Sequence, residues 1–192
     1  MDPVNSYIEN RTPDIEDNFD TASSNWVLTV DYISFWKKSF EEGEMIITGE
    51  AKNTLATYFD YVAEVEIKRV SGTGWQGIGW NNGSEGRCRF EVHSDQNVEI
   101  WCQENLQDKR IITKTLDRIQ NLLKFKVIVK NGSMAFYLND ELLGHYENEQ
   151  YRLYRNFPPT FFVGTSPDSQ QDANTAGIDN FKVWNITGLE IP

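Results

Sequence analysis

Between Tyr61 and Gln103 apolar and polar residues alternate in runs separated by turn residues. The runs cover residues 61–68, 74–81, 87–93 and 97–103. A period of two predicts half-buried antiparallel strands, with one face on a core and the other in water. The last two runs also define a register. With Ser94, Asp95 and Gln96 as a three-residue loop, Cys88 faces Cys102, Phe90 faces Ile100 and Val92 faces Val98. The opposite side then carries Arg87, Arg89, Glu91 and His93 against Gln103, Trp101, Glu99 and Asn97. A two-residue loop would set apolar residues against polar ones and turn a hydrophobic set to the wrong face, so the odd-length loop is expected.

The same pattern extends along the chain. Residues 1–16 are polar, contain Pro3 and Pro13, and read as a linker or extended arm ahead of a single domain over 17–192. Strands are expected at 45–48, 58–69 and 110–115, with a loop at 51–56; residues 116–123 read as one helical turn or as a loop leading into the next strand. Residues 125–130 and 134–138 flank Asn131-Gly132, the strongest short hairpin signal. Further strands are expected at 142–146, 161–164 and 178–184. No helix is long enough to form a layer, and there is no repeat. The fold class is therefore all-β, a two-sheet antiparallel sandwich.

Composition narrows the function classes. At 192 residues the chain suits one well-buried domain. The start, Met1-Asp2-Pro3-Val4, does not read as a signal peptide, and no apolar run approaches a membrane span. A net charge of −11 argues against nucleic acid or an anionic membrane as partner. Two cysteines are too few for a disulfide framework. Cys88 and Cys102 either bridge across the hairpin or sit as two buried thiols. With His93 and His145 as the only histidines, and no CxxC pair, a zinc site of Cys and His ligands is not expected. Trp26, Trp36, Trp80 and Trp184 are assigned to the core.

The order of landmarks resembles the concanavalin A-like lectin/glucanase superfamily, a jelly-roll sandwich. They are Asp17-Asn18-Phe19 with Trp26, Gly43 to Ile47, Tyr61 to Glu66, Gly77-Ile78-Gly79-Trp80, Gly132 to Asn139, Val163-Gly164 and Asp179 to Trp184. The pattern is most similar to the laminin-G-like and 3-keto-disaccharide-hydrolase-like branch, over residues 17–186. That resemblance implies an extracellular or cell-surface module, often bacterial and part of a longer chain, that binds glycans across a concave sheet.

A sugar site needs aromatic platforms ringed by amide, carboxylate and guanidinium groups. The candidates for ligand binding are Trp101, Arg89, Glu91, Glu99, Glu64, Glu66, Asn81, Trp75 and Tyr137, with Gly77 and Gly79 as a flat floor. Glu64/Glu66 and Glu91/Glu99 are formal acid/base pairs, but the Glu-x-Asp-x-x-Glu and Glu-x-Asp-x-Glu strands of laminarinase-type relatives do not occur. The leading expectation is a non-catalytic lectin-like module. A protein-interaction or adhesion module without a sugar site, and a glycoside hydrolase or lyase, are the alternatives. No cofactor is required. The resemblance implies a structural calcium ion, for which Asp17 and Asp179, in two similar Asp-Asn-Phe segments, are the candidate ligands, with Asp168, Asp172 and Asn174 as a second oxygen-rich set.

Overall fold

The computed structural model describes residues 3–20, 25–29, 36–54, 58–81, 86–148, 159–166 and 174–190. Fifteen strands among them form two antiparallel sheets packed face to face. The back sheet contains β1 (Ile15–Asp17), β3 (Lys37–Glu41), β4 (Glu44–Thr48), β6 (Tyr61–Ser71), β11 (Leu122–Lys130), β12 (Ser133–Leu138), β13 (Glu141–Glu147) and β15 (Thr175–Asn185). Its order is β13-β12-β11-β6-β15-β4-β3, with β1 also paired to β15. The front sheet contains β2 (Trp26–Leu28), β5 (Glu50–Asn53), β7 (Trp75–Asn81), β8 (Arg87–His93), β9 (Asn97–Glu104), β10 (Gln107–Thr115) and β14 (Thr160–Ser166). Its order is β10-β9-β8-β7-β14-β5-β2. The chain crosses repeatedly between sheets, as in a jelly roll.

Alternation along each strand builds the core. Ala63, Val65 and Ile67 of β6 and Phe125, Val127 and Val129 of β11 meet Phe90, Val92, Val98 and Ile100 of the front sheet. Aromatic rings fasten the two layers together, Phe90 on Phe125 and Trp26 on Phe181, each with centroids 4.9 Å apart and nearly perpendicular. Such edge-to-face pairs add about 0.5–1.5 kcal/mol each beyond area burial. The β8–β9 register is the expected one, with Cys88 opposite Cys102, Phe90 opposite Ile100 and Val92 opposite Val98. The two cysteines are bridged, which settles the open alternative.

Three expectations are corrected. Residues 51–56 were expected to be loop, yet Glu50–Asn53 pair with β14 as β5. At 116–123 the structure takes the loop alternative and not the helical turn: Leu116 and Ile119 pack on the core without a helix, and the connection leads into β11 at Leu122. The N-terminal arm is docked rather than extended. Its helix α1 (Pro3–Ile8) sets Val4 and Ile8 on Val62, Ile128, Tyr137 and Trp184 of the back sheet's outer face. This second apolar layer explains why β6 and β11 are buried on both faces. Finally, Trp26 and Trp80 are fully buried and Trp184 lies under the arm, but Trp36 is only half-buried, lying over Gly49.

Candidate functional site on the front sheet

The outer face of the front sheet is built from cross-strand rows. One runs Arg110, Trp101, Arg89, Gly79, Phe162, Lys52 and Val27 across all seven strands. The next runs Thr113, Glu99, Glu91, Gly77, Gly164 and Glu50. A third sets His93, Trp75 and Ser166 side by side. Glycines thus occupy the middle of two adjacent rows, and aromatic residues border them.

Two of those glycines, Gly77 and Gly164, are required by the packing. A Cβ on Gly77 would lie 2.0 Å from the Phe90 carbonyl oxygen. At Gly164, whose φ of +154° disfavours any side chain, it would lie 2.2 Å from the Gly49 carbonyl oxygen. The result is a bare backbone floor between Trp75 and Phe162, with Glu50 entering from β5 on one side and Arg87, Arg89 and Glu91 from β8 on the other. The depression itself holds about 10 Å³, room for one water-sized group. It therefore suits a hydroxyl reaching down, with a ring lying above, rather than a ring inserted edge-on.

Its electrostatics are set by burial and pairing. Burial pushes the Glu50 carboxyl above its ordinary value, against the pull of Arg87, whose guanidinium stands 3.9 Å away. Glu91 is 4% exposed at its side chain and pairs with Arg89 at 3.2 Å. His93 lies 3.6 Å from Glu91 and 3.8 Å from Glu99. Glu91 is the main cause of a raised His93 pKa, opposed by burial and reinforced by the charges of Glu99 and Asp95. At these separations both are ion contacts rather than hydrogen bonds. Trp101 is half-buried, donates Nε1–H to Glu99 at 3.0 Å, and is flanked by the guanidinium groups of Arg89 and Arg110 at 5.9 and 5.4 Å from its ring centre. The ring is held by cation–π contacts on an open sheet face.

The residues expected to form one site divide between two sheets. Trp75, Asn81, Arg89, Glu91, Glu99 and Trp101 share the front face. Glu64, Glu66 and Tyr137 belong to the back sheet, across the core from the others. Glu64 is paired with Lys124 and Lys126, Glu66 accepts from Asn180 Nδ2, and Tyr137 is 6% exposed beneath the arm. None of these three can meet a ligand on the front face, so the Glu64/Glu66 acid/base pair is set aside. A wider recess of about 600 Å³ lies on that back face, but its Lys126, Lys182 and Arg11 are ion-paired with Glu64, Glu16 and Asp14. Asp17 and Asp179 do lie on neighbouring strands, β1 and β15. Asp17 accepts from Phe19 N and Trp26 Nε1, and Asp179 from Asn180. Asp168 and Asp172 fall outside the described residues. Asn174 is buried and donates to the Trp75 carbonyl, fixing that end of the floor.

Glu50, Arg87, Phe162 and Gly164 were not among the expected site residues. Phe162 had a signal: in the adjacent pair Phe161-Phe162 within a strand, one ring faces the core and the other must face out.

No protein-family model matches the sequence, and no curated protein matches it. Solved structures do. SCLam, a non-specific endo-beta-1,3(4)-glucanase from family GH16, superposes with a TM-score of 0.70 at 13% identity, over 90% of both chains. The carbohydrate binding module CBM66 from Bacillus subtilis gives 0.60 at 14% identity, over 84% of this chain and 96% of that one. The GH43 BlXynB protein from Bacillus licheniformis gives 0.67 at 14% identity, over 88% of this chain and 39% of that longer one. At these identities the likeness establishes the jelly-roll fold and nothing finer.

Proposed function

We propose that this chain is a non-catalytic glycan-binding module, extracellular or cell-surface, that lays a saccharide chain across the outer face of its front sheet. The observation that carries the reading is the glycine floor of Gly77, Gly79 and Gly164 between Trp75 and Phe162. A sugar ring has an apolar face for an aromatic platform and an edge of hydroxyls for charged groups. The floor lets the ring approach the backbone, and Arg87, Arg89, Glu50 and Glu91 stand where hydroxyls would be met. Trp101, two strands from Gly79 in the same row, is a second platform along the chain. Similarity in fold to a carbohydrate binding module and a glucanase supports the reading. The stabilising disulfide is compatible with an oxidising, extracellular setting.

Affinity electrophoresis through soluble polysaccharides tests it. The wild-type chain should be retarded by at least one polysaccharide, and Trp75→Ala or Trp101→Ala should restore free migration with melting temperature little changed. Unretarded migration in every polysaccharide would favour an adhesion module instead.

One observation favours a hydrolytic reading as second choice. Glu50 and Glu91 stand in the same row on either side of two glycines, and the buried Glu50 has the raised pKa a general acid needs. Under that reading Glu50→Gln abolishes release of reducing ends while binding persists.

A further inference from the structure

We propose that Glu91, His93 and Glu99 form a binding site for a divalent transition-metal cation at the edge of the glycine floor. Glu91 and Glu99 are directly opposite on β8 and β9, and His93 follows Glu91 by two residues on the same face. One donor atom from each lies within 4.8 Å of the others. A like-charged pair placed directly across an antiparallel ladder is destabilising by itself. A cation between the carboxylates removes that cost.

The orientation of each group fits. Glu91 turns Oε1 to Arg89 at 3.2 Å and Oε2 to His93 Nε2 at 3.6 Å. Glu99 turns Oε1 to Arg110 at 2.7 Å and Oε2 to His93 Nε2 at 3.8 Å, while also accepting from Trp101 Nε1 at 3.0 Å. One oxygen of each carboxylate is thus held by an arginine and the other faces the imidazole, the outer-shell support that metal-bound carboxylates use. Independently of this clustering, His93 Nε2 is buried without a hydrogen-bond partner. The side chain of Glu91 is 4% exposed, with Oε1 in ion contact with Arg89 and Oε2 turned to His93. A buried ring nitrogen left without a partner calls for one, and a cation supplies it.

Bond lengths of about 2.0–2.2 Å to imidazole and carboxylate give neighbouring donors about 3.0–3.6 Å apart, so the two separations from His93, 3.6 and 3.8 Å, need to close by only a few tenths of an ångström. The hairpin that carries all three residues is cross-linked by Cys88–Cys102, which limits the reorganisation binding requires. An imidazole with two carboxylates suits zinc or manganese; calcium would demand six to eight oxygens. Glu91 borders the floor, so an ion here has open positions toward it. That those positions take sugar hydroxyls rests on the glycan reading; the metal site does not.

The test uses the full chain, stripped with chelator and without any sugar, titrated with zinc chloride by calorimetry. Binding should be one-to-one. His93→Ala and Glu99→Gln should each weaken it tenfold or more, whereas His145→Ala, at the only other histidine, should not change it. Calcium in excess should not compete. Absence of binding, or binding that survives His93→Ala and is lost with His145→Ala, overturns the proposal. Should a variant fail to fold, the wild-type histidine ring resonances decide: substoichiometric Mn²⁺ should broaden His93 before His145, and the reverse order refutes the site. Because no sugar is present, failure leaves the glycan reading standing, and glycan binding indifferent to chelation leaves the metal site standing.

Discussion

Two neighbouring floor glycines should respond in opposite ways to the same added methyl group. In Gly77→Ala the new Cβ would fall 2.0 Å from the Phe90 carbonyl oxygen, 3.0 Å from its carbonyl carbon and 3.1 Å from Glu91 Cα. All three are backbone atoms of the paired strand β8, so no rotamer change relieves the overlap. β7 and β8 must separate by more than 1 Å, and overpacking of this kind costs about 1–3 kcal/mol or more. In a domain of this length each kcal/mol lowers the melting temperature by roughly 2–4 °C, so the fall should be roughly 2–12 °C. In Gly79→Ala the nearest atoms are Cys88 O at 3.1 Å, Arg89 Cγ at 3.6 Å and Phe162 Cβ at 3.8 Å. Ordinary adjustment accommodates these, and replacing a strand glycine recovers about 0.5–1 kcal/mol of backbone entropy. Stability should therefore change by less than about 1 kcal/mol. The methyl nevertheless intrudes on a depression of only about 10 Å³. Calorimetric unfolding and polysaccharide binding, run on both variants, separate the effects. Gly79→Ala should keep the wild-type melting temperature and lose glycan affinity. A Gly77→Ala protein melting within 2 °C of wild type would refute the close strand approach, and full affinity in Gly79→Ala would refute the use of the floor.

Other consequences are as direct. The double variant Cys88→Ala/Cys102→Ala should lose about 2–4 kcal/mol, seen as a fall of roughly 5–15 °C in melting temperature under non-reducing conditions; an unchanged value would mean the hairpin is held without the bridge. Glu50 has a folded-state pKa above its ordinary value of 4.5, because burial disfavours the charged form. Between the unfolded and folded values the native chain holds more protons, so this group makes stability fall as pH rises through and above 4.5. Glu50→Gln should flatten that part of the urea-midpoint profile, and a profile parallel to wild type would contradict the assignment. Ile8→Ala should cost about 2 kcal/mol by uncovering Trp184 and Ile128, and an unaltered urea midpoint would mean the arm does not hold the back sheet.

How much of this was legible depended on what alternation encodes. The β8–β9 hairpin could be read in full, because loop parity decides which residues face the core and only one choice put Phe90 against Ile100. Alternation assigns a residue to a face of its strand but not its strand to a sheet. Glu64 and Glu66 were therefore grouped with Arg89 and Trp101, although β6 lies in the opposite layer. Tyr137 reads as polar beside Phe136 and Leu138, and only the docked arm reveals a second apolar layer that buries it. β5 was missed because Glu50-Ala51-Lys52-Asn53 offers a single apolar residue, too little for a period to register, and Glu50 was lost with it. The spacing of Leu116, Ile119 and Leu123 imitates a helical face, yet these side chains reach the core from an irregular connection and a strand. Gly77 and Gly79 were recognised as a floor; Gly164 joins them through the β7–β14 pairing, which lies far apart in sequence.

The most direct test of the central claim is a glycan-array measurement of the wild-type chain beside Phe162→Ala. Phe162 is half-buried on the outer face and sits opposite Gly79, so its removal deletes a wall of the floor without touching the core. The account predicts binding to a defined saccharide by the wild-type chain and its loss in the variant, with unfolding temperatures alike. A saccharide bound equally by both chains would place the site elsewhere and contradict the account.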